Sequence, residues 1–134
     1  MPVSNDDVIG LFNRGLDAAS LRQDTTAHNL ANLNTPNFSR SHVSFEDNLR
    51  QAMEQEERPS IRATHPQHFG VPGPEQVEPR VEVDDQSVKR IDGNNVDMEK
   101  EMTNMVKNQL KYNAMSDQTT QRIRSWEYVI NEGR

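Results

Sequence analysis

The sequence VDMEKEMTNMVKNQLKYNAMSDQTTQRIRSWEYVIN occupies residues 96–131 and contains neither glycine nor proline. It predicts one long helix, because those two residues are the ones that most often interrupt helices. Its less polar positions recur at alternating steps of four and three, the heptad repeat of helices that pack lengthwise. A helix of this length can bury one face only against another long helix. The predicted seam comprises Met98, Met102, Met105, Gln109, Tyr112, Ser116, Thr119, Ile123, Trp126 and Ile130.

Residues 5–33 have the same period and provide a partner helix within the chain. Ser4 or Asn5 is expected to cap this first helix, and Asn94 or Asn95 the C-terminal one. The first helix is predicted to end before Pro36, which cannot continue it. The seam of the first helix comprises Phe12, Leu16, Ala19, Gln23, Thr26, Leu30 and Leu33.

Both seams carry polar side chains near their middle, such as Gln23 and Gln109. One interpretation is a weak, hydrated coiled coil. The other is a seam shared among several helices, in which amide and hydroxyl groups fix the register between subunits. The pattern alone is compatible with both.

The middle of the chain, residues 37–93, lacks the long heptad pattern of the two terminal segments. A short helix is predicted over 44–57 with Ser44 as its cap, followed by a proline-rich loop over 58–79. Residues 81–83, with Val88, predict a short strand or hairpin. The sequence therefore predicts a mainly α fold of two long terminal helices (in segments 1–36 and 94–134), packed as a coiled-coil-like pair, with a short helix and an irregular or extended middle segment.

The composition excludes several classes of protein. Hydrophobic residues make up only 32% of the 134 residues, so little apolar surface offsets the entropy of ordering, and we expect the isolated monomer to be partly unfolded. A net charge of −6 argues against nucleic acid as a partner. No apolar run approaches a membrane span, and the N-terminus lacks the pattern of a cleavable signal peptide.

Candidate chemical sites are few. His65 and His68 are a close histidine pair, but Pro66 and the absence of further ligands nearby favour a solvated loop over a metal site. The run from Asp92 to Asp97 departs from the calcium-loop pattern and is better explained as a turn before a capped helix. No nucleophile elbow, P-loop or dinucleotide fingerprint occurs. The sequence therefore predicts a protein that is not an enzyme and that needs no cofactor or metal.

Two segments resemble the bacterial flagellar basal-body rod family. The first is Ala31-Asn32-Leu33-Asn34-Thr35-Pro36-Asn37-Phe38. The second is Asp92-Gly93-Asn94-Asn95-Val96-Asp97-Met98-Glu99-Lys100-Glu101, which leads into the last helix, with Asn108 and Tyr112 downstream. Asn37 and Phe38 depart from the Gly-Tyr of the family pattern; Asn tolerates left-handed backbone, and Phe keeps the ring but loses the hydroxyl. The motif positions are Ala31, Asn32, Thr35, Pro36, Asn37, Phe38, Asp92, Gly93, Asn94, Val96 and Asp97.

The resemblance implies a function that composition does not. The short length and the second segment are similar to members that build the proximal rod, a drive shaft whose terminal helices enclose an export channel. Its implied partners are other copies, other rod proteins, the ring–rod adaptor, the MS-ring and, during secretion, the flagellar type III export apparatus. The implied location is the periplasmic rod, without direct membrane insertion. The alternative is a soluble helical adaptor or export chaperone that binds a partner helix.

Overall fold

The computed structural model describes residues 5–56, 77–87 and 90–132. In chain order the elements are helix α1 (Asn5–Ala31), strand β1 (Ser41–Ser44), helix α2 (Glu46–Glu56), strand β2 (Arg80–Val83) and helix α3 (Met98–Glu132). The prediction of a mainly helical chain with two long terminal helices is confirmed. The proline-rich loop, the histidine pair, Ser4 and Val88 lie wholly or largely outside the described residues.

The two long helices run antiparallel and contact each other along α1. Gly15 lies against Met115, whose Sδ would be 2.9 Å from an added Cβ. Farther along, the Asn108 side chain reaches the carbonyl of Ala19, and Asn29 reaches Glu101. With 27 and 35 residues, the helices are about 40 and 52 Å long at 1.5 Å per residue. The longer α3 therefore continues past the described start of α1.

A two-stranded antiparallel sheet joins the middle segment to α1. β1 pairs with β2, with Ser41 opposite Val83 and Ser44 opposite Arg80. The strand predicted at 81–83 is present, but its partner is β1, which the sequence analysis did not identify as a strand. Ser44 belongs to that strand and does not cap α2, which begins at Glu46; the carbonyl of Phe45 accepts the first helical hydrogen bond, from Leu49.

Polar side chains make up much of the buried interior. The buried apolar residues are Ala18, Ala19, Val43, Phe45, Ala52 and Val96, and the buried polar ones are Thr25, Thr26, Asn29, Asn94, Asn95, Glu101 and Asn108. A chain with few apolar residues thus fills its interior with hydrogen-bonded groups, which burial tolerates only when they are partnered. This interior lies between α1, α3 and the sheet.

The face that α3 turns toward α1 is more polar than its heptad pattern predicts. Glu101 and Asn108, absent from the predicted seam, are buried there. Met105, Ser116, Thr119 and Trp126 are half-buried. The other predicted seam residues of α3 are exposed in the single chain: Met98, Met102, Gln109, Tyr112, Ile123 and Ile130. The α1 seam positions Phe12, Leu16, Ala19, Gln23, Thr26, Leu30 and Leu33 are all buried or half-buried.

Candidate functional site

The two motif segments, which are far apart in the sequence, meet at the end of α1. We call residues 31–38 together with 90–97 the junction. At its centre the fully buried Asn94 donates from Nδ2 to the carbonyls of Asn32, Leu33 and Thr35, at 2.9, 3.2 and 2.9 Å. Carbonyls at and just beyond a helix C-terminus have no partner in the helix. One amide from the second motif segment therefore caps the chain where α1 ends.

Two residues with positive φ allow the segments to approach closely. Asn37 has φ 58° and Gly93 has φ 78°. The Asn37 N–H donates to the Asp92 carbonyl at 2.9 Å, and a Cβ at Gly93 would lie 2.4 Å from Asn37 Oδ1. Gly93 therefore meets both requirements that favour glycine, a left-handed backbone and a close neighbour.

The segment around Asn94 is closed by its own hydrogen bonds. The Arg90 N–H donates to the Asn94 carbonyl at 2.7 Å, and the Gly93 N–H donates to the Arg90 carbonyl at 2.9 Å. The Arg90 side chain contacts Asp92 at 2.9 Å. Asn94 Oδ1 accepts from Val96 N–H at 2.7 Å, so both ends of this amide are satisfied. These local hydrogen bonds fix the position of the Asn94 side chain independently of its contacts with the end of α1.

Asp97, and neither Asn94 nor Asn95, caps α3. Its Oδ1 accepts from the Lys100 N–H at 3.1 Å, and its carbonyl accepts from the Glu101 N–H at 2.9 Å. The expected cap, Asn94 or Asn95, is therefore wrong by three or two residues. A carboxylate at this position satisfies a free N–H and also faces the positive end of the helix dipole.

A buried charged cluster lies next to the junction. Glu101, whose side chain is 1% exposed, accepts from Arg40 Nε at 2.6 Å and from Asn29 Nδ2 at 2.9 Å. Asn29 also exchanges two hydrogen bonds with the backbone of Ser41, at 2.7 and 3.0 Å. One carboxylate thus connects α3, α1 and the start of β1. An ion pair this deeply buried is costly to break by removing one partner.

Arg40 extends this cluster to the loop after β2. Its N–H donates to Asn95 Oδ1 at 2.6 Å, while Asn95 Nδ2 donates to the Asp84 carbonyl at 2.6 Å. The Ser87 hydroxyl, and to a lesser extent the Ser87 and Gln86 N–H groups and Arg40, lower the pKa of Asp84 despite its desolvation. This carboxylate therefore stays ionised to a lower pH than an ordinary aspartate.

Farther along α3, Asn108 makes the second polar contact between the long helices. Its Nδ2 donates to the Ala19 carbonyl at 2.8 Å and to Gln23 Oε1 at 3.2 Å. Nearby, Glu46 pairs with Arg22 at 2.5 Å and with Lys111 at 3.3 Å. Burial acts to raise the pKa of Glu46, but its own N–H and the cations Arg22 and Lys111 outweigh burial and lower it.

The other predicted motif residues take ordinary structural places. Phe38 packs on His28 with ring centroids 5.5 Å apart. The Thr35 hydroxyl donates to Asn32 Oδ1 at 3.2 Å, and Val96 is buried. Ala31 and Pro36 are exposed. Asn29 and Arg40 were given no role from the sequence, and Glu101 and Asn108 were named only at the end of the second motif segment and downstream of it. Asn29 and Asn108 each lie one residue from a seam position of their helix.

The hydrogen bonds and ion pairs of this arrangement join segments that are far apart in the sequence. In residues 5–56, 77–87 and 90–132, no group of three or more acidic or histidine side chains is arranged as metal ligands would be. The polar groups of the junction are occupied by one another. Over the same residues, the helices contain no stretch long and apolar enough to traverse a bilayer.

Comparisons with known proteins agree with the motif segments. The family model described as "Flagella basal body rod protein" matches residues 13–38. The chain is 35% identical to flagellar basal body rod protein FlgB of Borrelia hermsii, over 91% of this chain and 94% of that protein. It is 30% identical to the FlgB of Bacillus subtilis over 92% of each chain. For the FlgB of Escherichia coli the identity is 27% over 96% of each.

Proposed function

Because the chain belongs to the flagellar basal-body rod protein family, we propose that it is a structural subunit of the proximal rod. In this role it assembles with other rod proteins, and its long helices line the shaft that transmits torque and encloses the export channel. The ring–rod adaptor and the MS-ring are its proposed neighbours at the base of the rod. The proposed route of secretion is the flagellar type III apparatus.

The observation that carries this proposal is the apolar surface along α3. Met98, Met102, Val106 and Leu110 follow one another at intervals of four residues, and each is more than half exposed. A row at this interval lies along one side of a helix, where it can enter the groove of a neighbouring helix. Large apolar side chains left in water along a helix are typical of interaction sites. In a rod subunit, neighbouring subunits would cover them.

The junction supports the same role from inside the subunit. A shaft under torque needs its long helices fixed relative to the rest of each subunit. Asn94 joins the end of α1 to the start of α3, and Glu101 joins both to β1 through Asn29 and Arg40. We propose that the motif residues are needed because they fix the position of α1 relative to α3 and β1, and not because any of them carries out a reaction.

Photo-crosslinking in cells that assemble the structure would test the proposal. A photoreactive residue at Leu110, which is 65% exposed, should give adducts with other rod subunits that mass spectrometry can identify. The same residue at the exposed Gln86, outside the long helices, is the matched control. Adducts at Leu110 with a single unrelated cytoplasmic protein would instead support the adaptor or chaperone alternative and overturn the rod proposal.

A further inference from the structure

A groove with an excess of positive charge lies between α1, β1, α2 and α3 in this acidic chain. Its volume is about 470 Å³, and its basic lining residues are Arg22, Arg40, Arg50, Lys107 and Lys111. Glu46 is the one acidic side chain that lines it. The net charge of the whole chain is −6, so this concentration of cations is opposite in sign to the rest of the molecule.

The cations of the groove are only partly neutralised from within. Arg40 is already occupied by Glu101 and Asp84. Glu46 alone serves both Arg22 and Lys111. Arg50 has only an exposed contact of 3.6 Å with Asp47, and within the described part of the chain Lys107 has no acidic partner at ion-pair distance. The groove therefore presents more positive than negative charge to its surroundings.

One polar atom of the groove wall also lacks a partner. His42 lines the groove, and its Nδ1 is buried without a hydrogen bond among the described residues. Buried polar atoms are nearly always hydrogen-bonded. The hydrogen-bonding capacity of this nitrogen is therefore unused within the described residues.

The opposite charge is found on the outer face of α1. Asp17 and Asp24 are both exposed and lie two turns apart, about 10 Å along the helix. The exposed positions between and beyond them, Ser20 and Ala27, are small, so a second surface can approach the helix closely. Arg14 and Arg22, the nearest cations on α1, instead contact the Val77 carbonyl and Glu46.

We propose that the basic groove of one subunit binds the Asp17–Asp24 face of α1 of a second copy of this chain. The contact joins two different surfaces, so it is heterologous, and such contacts propagate into open helical assemblies unless the rotation closes a ring. The proposal rests on the proposed function, since it names how neighbouring rod subunits are placed. Complementary charge would fix which surfaces meet and in which register.

The chain contains no cysteine, which allows a direct test by paired cysteines. Two differently tagged copies, one with D24C and one with K107C, are expressed together in cells that assemble the rod, and an oxidant is added. The proposal predicts a disulfide-linked dimer carrying both tags. The control pair is D24C with R80C, because Arg80 is an exposed cation on β2 outside the groove. Absence of the 24–107 dimer, or an equal yield of the 24–80 dimer, would overturn the proposal.

Charge reversal provides a second test that does not depend on cysteine geometry. R50E/K107E should weaken incorporation of the subunit by about tenfold, since two contacts become repulsive. Copies carrying D17K/D24K should restore incorporation when they are expressed together with R50E/K107E. The matched control, R80E/K100E, should behave as the unaltered chain. Unaltered incorporation of R50E/K107E, or failure of the charge-swapped pair to recover, would overturn the proposal.

The two proposals fail separately. If the crosslinker at Leu110 captures rod subunits but the 24–107 disulfide does not form, the groove proposal is wrong and the rod assignment stands. If Leu110 captures no rod protein, the rod proposal itself fails.

Discussion

The two ends of α3 are held in different ways. At its start, Asn94, Asp97 and Glu101 are bonded to α1, to the sheet or to the helix itself, and the polar atoms at the centre of this region are paired. In the distal half, residues 115–132, Met115, Ser116, Thr119 and Trp126 are half-buried, no side chain described there is buried, and Val129 and Ile130 are 70% and 74% exposed. The polar groups at the start of the helix are satisfied within the subunit, although Met98 and Met102 are exposed there, whereas no polar side chain of residues 115–131 is buried. We expect neighbouring subunits to cover the exposed apolar side chains of both regions.

This difference clarifies how a chain poor in apolar residues forms a defined structure. Hydrogen-bonded amides and one buried ion pair fix the junction, where geometry must be exact enough to orient two long helices. Large apolar side chains of α3 remain exposed in the single chain, and we expect contacts between subunits to cover them. The isolated monomer is still expected to be partly unfolded, because few apolar side chains are buried within it.

Removing the cation of the buried cluster should have the largest effect. Arg40→Met would leave Glu101, 1% exposed, without its charged partner, and breaking a buried pair costs about 3–5 kcal/mol. We expect the helical circular dichroism of the isolated chain to be largely lost. Arg80→Met replaces an exposed cation outside the cluster, so this control should leave the signal nearly unchanged.

Replacing the capping amide should have the next largest effect. Asn94→Ala removes the hydrogen bonds to the carbonyls of Asn32, Leu33 and Thr35 and leaves the Val96 N–H without its acceptor. We expect a loss of about 2 kcal/mol in unfolding free energy. Asn94→Asp keeps the shape but directs a carboxylate at the same carbonyls, so it should destabilise more than alanine. Urea unfolding followed by circular dichroism would measure both. Equal stability of the aspartate variant and the original would contradict the proposed direction of these hydrogen bonds.

Alanine substitutions at two glycines compare the constrained backbone of the junction with an unconstrained position in helix α1. Gly93→Ala should cost about 1–2 kcal/mol for the left-handed backbone, and it also requires the Asn37 side chain to move. Gly10→Ala meets nothing within 4 Å and should stabilise α1 by about 1 kcal/mol. Thermal melts of the two variants should therefore shift in opposite directions.

The smallest effect concerns pH. Because the folded state lowers the pKa of Glu46 below its ordinary value of 4.5, its ionised form stabilises the fold above that value, and this contribution is lost as pH falls through the lowered pKa. Glu46→Gln should therefore lower stability slightly at neutral pH and make the chain less sensitive to acid below about pH 4.5. Urea midpoints of both chains at pH 7 and at pH 3 would test this.

The long helices were predictable from sequence because the heptad period and the positions of proline and glycine are local signals. The β1–β2 pairing was not, since Ser41, His42 and Ser44 have little strand propensity and their partners lie far along the chain. Apolar periodicity assigned Met98 and Met102 to the seam. Both are exposed in the single chain, so their part in assembly stays a prediction, whereas Glu101 is buried by partners on distant segments.

Among the motif residues, too, some features were predictable from local sequence and others were not. The positive φ at Asn37 follows from its residue type and its place after Pro36. The role of Asn94 could not be read from local pattern, because an asparagine before a helix ordinarily indicates an N-cap. Here its amide caps α1, a different helix, and Asp97 caps α3.

Hydrogen exchange of the isolated chain, resolved by peptide, tests the central comparison most directly. Amides near Asn29 and through residues 98–108 should be protected, while those of residues 120–132 exchange quickly and gain protection only in the assembled rod. Uniform protection along α3 in the isolated chain would contradict the account, because the distal half would then be complete without neighbours.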